Sequence, residues 1–276
     1  MRRHTAGFTL AEMAIVLVVV GLLLTSVLST VSTQLEARDI AEAQSRLNLI
    51  KDALTGFAQA NGRLPCPADG TLATGTSGAG LEEVVSTATD TCKSGVKYRV
   101  LPWTTLGLVE TDVWGRRFSY RVDQNFADSY TQTKLNPNPS WGCGATAPTP
   151  EPVSPTSFAL CATGSLTVKT KTAATGGKTG TPVSNIPVVI ISHGKNGYGA
   201  YTPGGTSFVA PPAANTDEIA NSTTASTIFY SREQSPQTST CSDTVAGSDF
   251  CEFDDLVAYI PVSLLITRMV SAGKLP

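Results

Sequence analysis

Apolar residues dominate the start of the chain. The stretch from Met13 to Leu28 is dense in valine, leucine and isoleucine, and no charged residue occurs between Glu12 and Glu36. About 20 apolar residues are enough for a helix to cross a lipid bilayer. This stretch therefore predicts either a secretory signal peptide or a transmembrane anchor.

Further along, apolar residues recur at every third or fourth position, which is the stripe of an amphipathic helix. The stripe comprises Ile40, Ala43, Leu47, Ile50, Leu54 and Phe57. Asn61 and Gly62 supply a C-terminal stop before the first downstream prolines. One helix from about Phe8 to Ala60 is predicted, roughly 80 Å long at 1.5 Å per residue. This continuation favours an anchor, because a signal peptide would close with a small-residue cleavage site.

The rest of the chain alternates short strand-like runs with segments rich in glycine, proline, serine and threonine. Strands are predicted at 118–122, 157–161, 165–170 and 186–192, and loops at 67–80, 144–156 and 202–224. A short strand and then a helix from Val262 to Ala272 are predicted near the end. The predicted fold class is α+β, with a long N-terminal helix, membrane-spanning in its first half, packed on an antiparallel β-sheet domain.

The charge of the chain nearly balances, with a formal net charge of −2 over 276 residues. A phosphate-binding surface needs a basic excess or a basic stripe. No cluster of lysine and arginine occurs beyond Arg2 and Arg3, so we expect no nucleic-acid partner. These two arginines precede the apolar stretch, and the positive-inside rule then places the N-terminus in the cytoplasm and the rest outside.

All six cysteines follow the apolar stretch: Cys66, Cys92, Cys143, Cys161, Cys241 and Cys251. An even number of cysteines in an exported domain suits disulfides. A metal site has less support, because the chain lacks C-x-x-C and has one downstream histidine, His193. Six cysteines permit 15 connectivities. Pairing of neighbours (66–92, 143–161 and 241–251) is our expectation, because each bond would close a short loop.

The segment "GFTLAE" at 7–12, after a short basic leader, resembles the prepilin-peptidase processing site of type IV pilins and type II secretion pseudopilins. Later segments are similar to pseudopilin segments and occur in family order: "NGRLP" at 61–65, "DVWGRRFSYRV" at 112–122, "VVIISHGKNGYGAY" at 188–201 and "FDDLVAY" at 253–259. The resemblance implies cleavage after Gly7 on the cytoplasmic face and methylation of the new N-terminal residue, Phe8.

The chain also departs from that family. Val113 stands where the major pseudopilin usually has proline, and the chain is about twice the usual length. The additional residues lie around 67–95, 124–185 and 202–250. These additional residues favour a low-abundance or specialised pilin over the main filament subunit.

The resemblance implies four parts along the chain. They are a leader at 1–7, a transmembrane and assembly half-helix at 8–35, an amphipathic half-helix at 36–61, and a periplasmic or extracellular β-rich domain at 62–276. The implied partners are prepilin peptidase, other pilins or pseudopilins, the inner-membrane assembly platform and membrane lipid. The sequence leaves open whether the filament is a type IV pilus or a type II secretion pseudopilus.

Glu12 is a carboxylate at the head of an apolar segment, where an unpaired charge is costly. Processing would place it four residues after the new amine of Phe8. In a filament, the Phe8 amine of a neighbour would pair with Glu12 and fix the register of the subunits, as buried polar groups do in coiled coils. The alternative is that Glu12 lies at the lipid headgroup boundary, where a charge costs little.

Acidic residues crowd a short stretch near the last predicted strand, at Asp249, Glu252, Asp254 and Asp255. Calcium takes six to eight oxygen ligands. Similar pseudopilins hold calcium in the loop before the last strand, and the resemblance makes Asp254 and Asp255 the nearest ligands. The chain lacks the D-x-[DN]-x-[DN]-G signature, so a solvated acidic loop is the alternative. No other cofactor is expected.

Ser192 and His193 raise the possibility of a hydrolase, with Asp217 or Asp254 as the third member of a triad. The sequence lacks G-x-S-x-G, and a serine next to its own base seldom has the required geometry. We predict that the chain is not an enzyme and that His193 is a surface residue. Two rivals stay open: a monomeric membrane-tethered binding module with a coincidental "GFTLAE", and a tethered hydrolase that uses His193.

Overall fold

The computed structural model describes residues 9–85, 92–93, 99–127, 143, 156–171, 178, 180–238 and 240–275, without the side chains of 23–33. The predicted processing residues Gly7 and Phe8 lie outside this part of the chain. The chain divides into two compact units, Met1–Glu42 and Ala43–Pro276. The second half of the predicted helix therefore belongs largely to the globular unit.

The first helix, α1, is continuous from Leu10 to Asn61. It ends where the sequence predicts, because Gly62 has φ 73° and donates its N–H to the carbonyl of Ala58 at 2.8 Å. Glycine adopts this left-handed conformation without steric cost. Among the residues that the structure describes, no helix is long and apolar enough to cross a membrane.

Eight strands and four further helices are described after α1. The strands are β1 (Ala68–Asp69), β2 (Arg99–Val100), β3 (Ser119–Val122), β4 (Leu166–Lys171), β5 (Thr181–Ile186), β6 (Val188–Ser192), β7 (Ile228–Arg232) and β8 (Leu256–Ile260). The helices are α2 (Trp103–Leu106), α3 (Gln124–Ala127), α4 (Thr216–Ser222) and α5 (Val262–Ser271).

Five strands form an antiparallel sheet in the order β1-β2-β3-β6-β8. This sheet, after the N-terminal helix, confirms the predicted α+β class. A second sheet has the order β5-β4-β7, and its β4–β7 pair is parallel, whereas the prediction was antiparallel throughout.

Strand β6 is buried on both faces and lies at the centre of the packing. Val188 and Ile190 belong to the same core cluster as the stripe of α1 and as Leu265 and Met269 of α5. Val189 and Ile191 point the other way, into a cluster with the second sheet that includes Phe229. Side chains alternate across a strand, so the five-stranded sheet is the middle of three layers.

Two local predictions are wrong. Residues 157–161 contain a bend and a turn instead of a strand, and Phe158 packs there on Phe126 with ring centroids 4.7 Å apart. The predicted loop at 202–224 contains α4, which Asn215 caps by accepting a hydrogen bond from the N–H of Glu218.

The six cysteines form three disulfides, Cys66–Cys92, Cys143–Cys161 and Cys241–Cys251. These are the neighbour pairs expected from the sequence. Closing loops of this length stabilises the folded state by roughly 2–4 kcal/mol per bond. We expect non-reducing peptide mapping of the exported protein to recover these three linked pairs and no free thiol. Two or more free cysteines would contradict the framework, and so would a different pairing.

Candidate functional site

The start of α1 holds Glu12 in a reciprocal capping arrangement with Thr9. The backbone N–H and the hydroxyl of Thr9 each donate to Glu12 Oε2 at 2.8 Å, and the N–H of Glu12 donates to Thr9 Oγ1 at 3.2 Å. This is a capping box, which satisfies N–H groups that a helix start leaves unpaired. The sequence "TLAE" carries its S/T-x-x-E signature, so this cap is a functional feature that the sequence alone could have predicted.

The capping box gives Glu12 a role within its own chain. Its carboxylate is exposed, and it sits in the first turn, where a negative charge also complements the helix dipole. The carboxylate is therefore oriented at the helix start and accessible to a further partner. Gly7 and Phe8 precede this turn and lie outside the described residues.

A second group of functional candidates is buried in the globular unit. Asp254 and Asp255 directly precede β8, and Glu218 comes from α4. One oxygen from each of these three carboxylates lies within 4.8 Å of the others. Glu218 and Asp255 are 0% and 3% exposed, whereas Asp254 is half-buried. We refer to these three residues as the acidic cluster.

The acidic cluster retains unused acceptor atoms. Asp254 Oδ1 is buried and has no hydrogen-bond partner, and Asp255 Oδ1 is buried and faces Nδ1 of His193 at 3.4 Å without a hydrogen bond. A buried oxygen without a partner is costly. Hard carboxylate oxygens are the ligands that calcium and magnesium prefer, so the residues present fit such a cation.

The turn after β6 holds the acidic cluster from one side. The backbone N–H of Asn196 donates to Asp254 Oδ2 at 2.7 Å, and its side-chain amide donates to Glu218 Oε1 at 3.0 Å. Gly194 makes this approach possible, because an added Cβ would lie 2.4 Å from the Asp254 carboxyl carbon. From the other side, Asn221 donates to Asp255 Oδ2 at 2.8 Å. The segment "SHGKNG" and α4 together build the site.

Burial and mutual repulsion disfavour the charged forms of the cluster. Burial raises the pKa of Glu218 to about 8, and the charge of Asp255 adds to this effect. Burial also raises the pKa of Asp254 to about 6, although the hydrogen bond from Asn196 opposes the shift. A bound cation would remove both the repulsion and the shortage of partners.

A neighbouring ionic network fixes the position of α4. Asp217 accepts from Lys171 Nζ at 2.6 Å and from Arg232 Nε at 3.0 Å, and Arg232 also pairs with Asp243 at 3.2 Å. All four side chains are buried. Because Asp217 precedes Glu218 on α4, this network holds Glu218 in position for the acidic cluster. Asp217, which the sequence suggested as a triad member, is paired with Lys171 and Arg232 instead.

His193 is fully buried, so its predicted surface position is wrong. Its Nε2 lies 2.7 Å from Ser119 Oγ, and its Nδ1 lies 3.4 Å from Asp255 Oδ1. Ser192 instead donates its hydroxyl to Asp112 Oδ2 at 2.7 Å. The order Ser119–His193–Asp255 has the residue types of a hydrolase triad, yet all three are buried, and a nucleophile has to reach its substrate.

Two members of the acidic cluster are expected from the sequence, and the third is not. Asp254 and Asp255 were expected from the resemblance, whereas Glu218 lies 36 residues upstream in a segment predicted as a loop. Asp249 and Glu252 belong to the same acidic stretch of the sequence but are not part of the acidic cluster. No local pattern in the sequence marks Glu218 as a ligand.

Residues 2–28 match the prokaryotic N-terminal methylation motif. No curated protein and no solved structure matches the chain. The matched segment is the prepilin-type signal of type IV pilins and pseudopilins, which confirms the resemblance found in the sequence. It contains Gly7, Phe8 and the capping box, and it supports a type IV pilin-like precursor that is a substrate of prepilin peptidase and assembles with other pilins.

Proposed function

We propose that this chain is a minor pilin or pseudopilin, which assembles through its N-terminal helix into a type IV pilus or a type II secretion pseudopilus. The observation that carries the proposal is the methylation motif at residues 2–28. The helix that begins in the motif at Leu10 runs without interruption to Asn61, and its stripe from Ala43 to Ala58 forms part of the globular core. A helix that joins an assembly segment to a folded domain in this way suits a filament subunit.

Membrane anchorage before assembly is part of the proposal. The motif suggests a membrane-anchored N-terminus with the rest of the chain outside the cytoplasm. Residues 8–35 would be the single span, and Arg2 and Arg3 would keep the leader on the cytoplasmic side. The three disulfides agree with an oxidising compartment.

The processing step gives a direct test. Co-expression with a prepilin peptidase is expected to remove Met1–Gly7 and add one methyl group to Phe8, because glycine before the cleaved bond has no Cβ to obstruct the enzyme. Intact-mass analysis of the membrane fraction measures both changes. With a catalytically inactive peptidase the full-length mass should remain. If Arg2 is retained with the active enzyme, the chain is a tethered binding module and not a pilin.

We also propose a calcium site at Glu218, Asp254 and Asp255. The support is the close approach of three carboxylates and the buried, unpartnered Oδ1 of Asp254. Calcium would supply positive charge there. Because Glu218 lies on α4 and the two aspartates directly precede β8, a bound ion would connect these two elements and so stabilise the globular unit.

No catalytic step forms part of this proposal. The buried state of Ser119, His193 and Asp255 favours a structural role over a hydrolase. The hydroxyl of Ser119 and the imidazole of His193 would orient Asp255 within the acidic cluster.

A further inference from the structure

A disulfide-closed loop is bonded to the start of α4, the helix that supplies Glu218 to the acidic cluster. Cys241 and Cys251 close this loop, which we refer to as the 241–251 loop. Helix α4 has only seven residues. A helix this short is not stable in water on its own, so its position depends on the groups that hold its ends.

The first connection between the 241–251 loop and α4 runs through Asp243. This side chain is fully buried, and its Oδ2 accepts a hydrogen bond at 3.2 Å from the N–H of Asp217, in the first turn of α4. Its Oδ1 accepts from the N–H of Cys251 at 3.0 Å. Because Asp243 lies two residues after Cys241, one carboxylate joins both ends of the loop to α4.

Arg232 of β7 strengthens this connection. Its Nη2 donates to the carbonyl of Cys251 at 2.9 Å, and its guanidinium also pairs with Asp243 and Asp217. The N–H and the carbonyl of Cys251 are therefore both bonded to the network of buried charges. Loosening one member of such a network leaves the others buried without partners, which is costly.

The second connection runs through Asn215, the buried residue that caps α4. Its side-chain amide donates to the carbonyl of Glu252 at 2.7 Å and to Glu218 Oε2 at 2.7 Å. Its Oδ1 accepts from the backbone N–H of Glu218 at 3.3 Å. Glu252 directly follows Cys251 in the chain. A single buried amide therefore links the residue after the disulfide to the carboxylate of Glu218.

The acidic cluster depends on the position of α4 for one of its three carboxylates. Asp254 and Asp255 belong to the segment that leads into β8, whereas Glu218 reaches the cluster only when α4 is in place. The oxygen ligands of calcium lie about 2.3–2.6 Å from the ion. A small shift of α4 would therefore withdraw the third carboxylate.

We propose that the Cys241–Cys251 disulfide is a positioning element of the calcium site, which holds α4 through Asp243 and Asn215 and so keeps Glu218 in place. The calcium part rests on the proposed function, whereas the positioning of α4 rests on the hydrogen bonds alone. The folded chain with this disulfide then binds calcium more tightly than the folded chain without it.

Calcium affinity tests the proposal, with a second disulfide as the matched control. The full chain in detergent is titrated with calcium chloride by isothermal titration calorimetry, at a temperature where every variant is folded. We expect Cys241→Ser/Cys251→Ser to bind about tenfold more weakly than the parent. Cys143→Ser/Cys161→Ser should bind like the parent, although its lost bond spans 18 residues instead of 10. Equal affinities in all three proteins, or an equal loss in both variants, would overturn the proposal.

A milder variant keeps the disulfide and tests the connection itself. Asn215→Ser retains a good cap for α4, but it removes the amide that links Glu252 to Glu218. We expect its calcium affinity to fall. Combined with the loss of the 241–251 disulfide, the effect should be smaller than the sum of the two separate losses, because both act on the same connection. Additive losses, or an Asn215→Ser variant that binds like the parent, would contradict it.

Hydrogen exchange at 216–222 gives a readout that does not need calcium. We expect faster exchange of the α4 amides in Cys241→Ser/Cys251→Ser than in the parent, and unchanged exchange in Cys143→Ser/Cys161→Ser, as measured by mass spectrometry. Unchanged exchange in both variants would overturn the positioning of α4 even if the parent binds calcium. Faster exchange confined to the first variant would support it even if the parent binds no calcium, in which case only the calcium site fails.

Discussion

Replacing Glu12 by glutamine is expected to abolish or sharply reduce incorporation into filaments, while processing and membrane insertion stay intact. Glutamine can still accept the hydrogen bonds of Thr9, because the capping box tolerates either residue. It cannot neutralise the Phe8 amine of a neighbour, and an unpaired ammonium in an apolar helix bundle costs several kcal/mol. The measurement is the amount of the subunit in the sheared filament fraction, with intact mass as the readout of processing.

Two further variants separate the roles of Glu12. Glu12→Val removes the charge and both hydrogen bonds that Thr9 donates to the carboxylate, whereas Thr9 Oγ1 still accepts from the N–H of residue 12, and it should fail to assemble as Glu12→Gln does. Thr9→Ala removes only the cap, at a cost of about 1 kcal/mol in helix stability, and should largely assemble. If Glu12→Gln or Glu12→Val assembles as well as the parent, the carboxylate does not set the register. A position at the lipid headgroup boundary, together with the cap, would then explain why a glutamate occurs at position 12.

Calcium is expected to raise the melting temperature of the full chain in detergent. At a free concentration 100 times the dissociation constant, binding stabilises the folded state by about 2.7 kcal/mol. For a folded unit of this size, that corresponds to a rise of about 5–10 °C. Thermal unfolding followed by circular dichroism measures the shift, and chelation with EGTA should reverse it.

The calcium effect should increase with pH. Without the cation, the folded state keeps a proton on Glu218 up to a pKa of about 8, whereas the unfolded chain releases it near 4.5. The folded state therefore binds more protons over this range, and stability falls as the pH rises from about 4.5 to about 8. Calcium requires the ionised carboxylates. We expect a larger rise in melting temperature at pH 8 than at pH 5.

Matched variants assign the calcium effect to the acidic cluster. Glu218→Gln and Asp254→Asn should lose most of the calcium-dependent shift, because each removes a charged ligand. Asp249→Asn is the control, since Asp249 is exposed in the same acidic stretch and lies outside the cluster. A parent protein that shows no shift at pH 8, or a control variant that loses it, would contradict the site.

The sequence by itself determined the features that depend on local order. The apolar stretch and the periodic stripe predict the single helix that the structure has at Leu10–Asn61, and Gly62 ends it. The strands β3 and β6 lie within the runs where the sequence predicts them, and β4 overlaps its predicted run to within one residue. The prepilin-type signal is likewise local, because an enzyme has to recognise it in a short segment. Periodicity and capping act over a few residues, and the chain displays them without any tertiary contact.

Only the tertiary structure decided which distant residues meet. Glu218 joins Asp254 because α4 is held by the ion pairs of Asp217 and because Gly194 lets the turn after β6 approach. His193 is buried because β6 lies between two layers, whereas a strand end alone predicts exposure. The place of β8 at the end of its sheet follows from the order of the strands that the structure describes. These outcomes depend on strand order, register and loop path, which are set by packing across the whole globular unit and leave no periodic trace in the sequence.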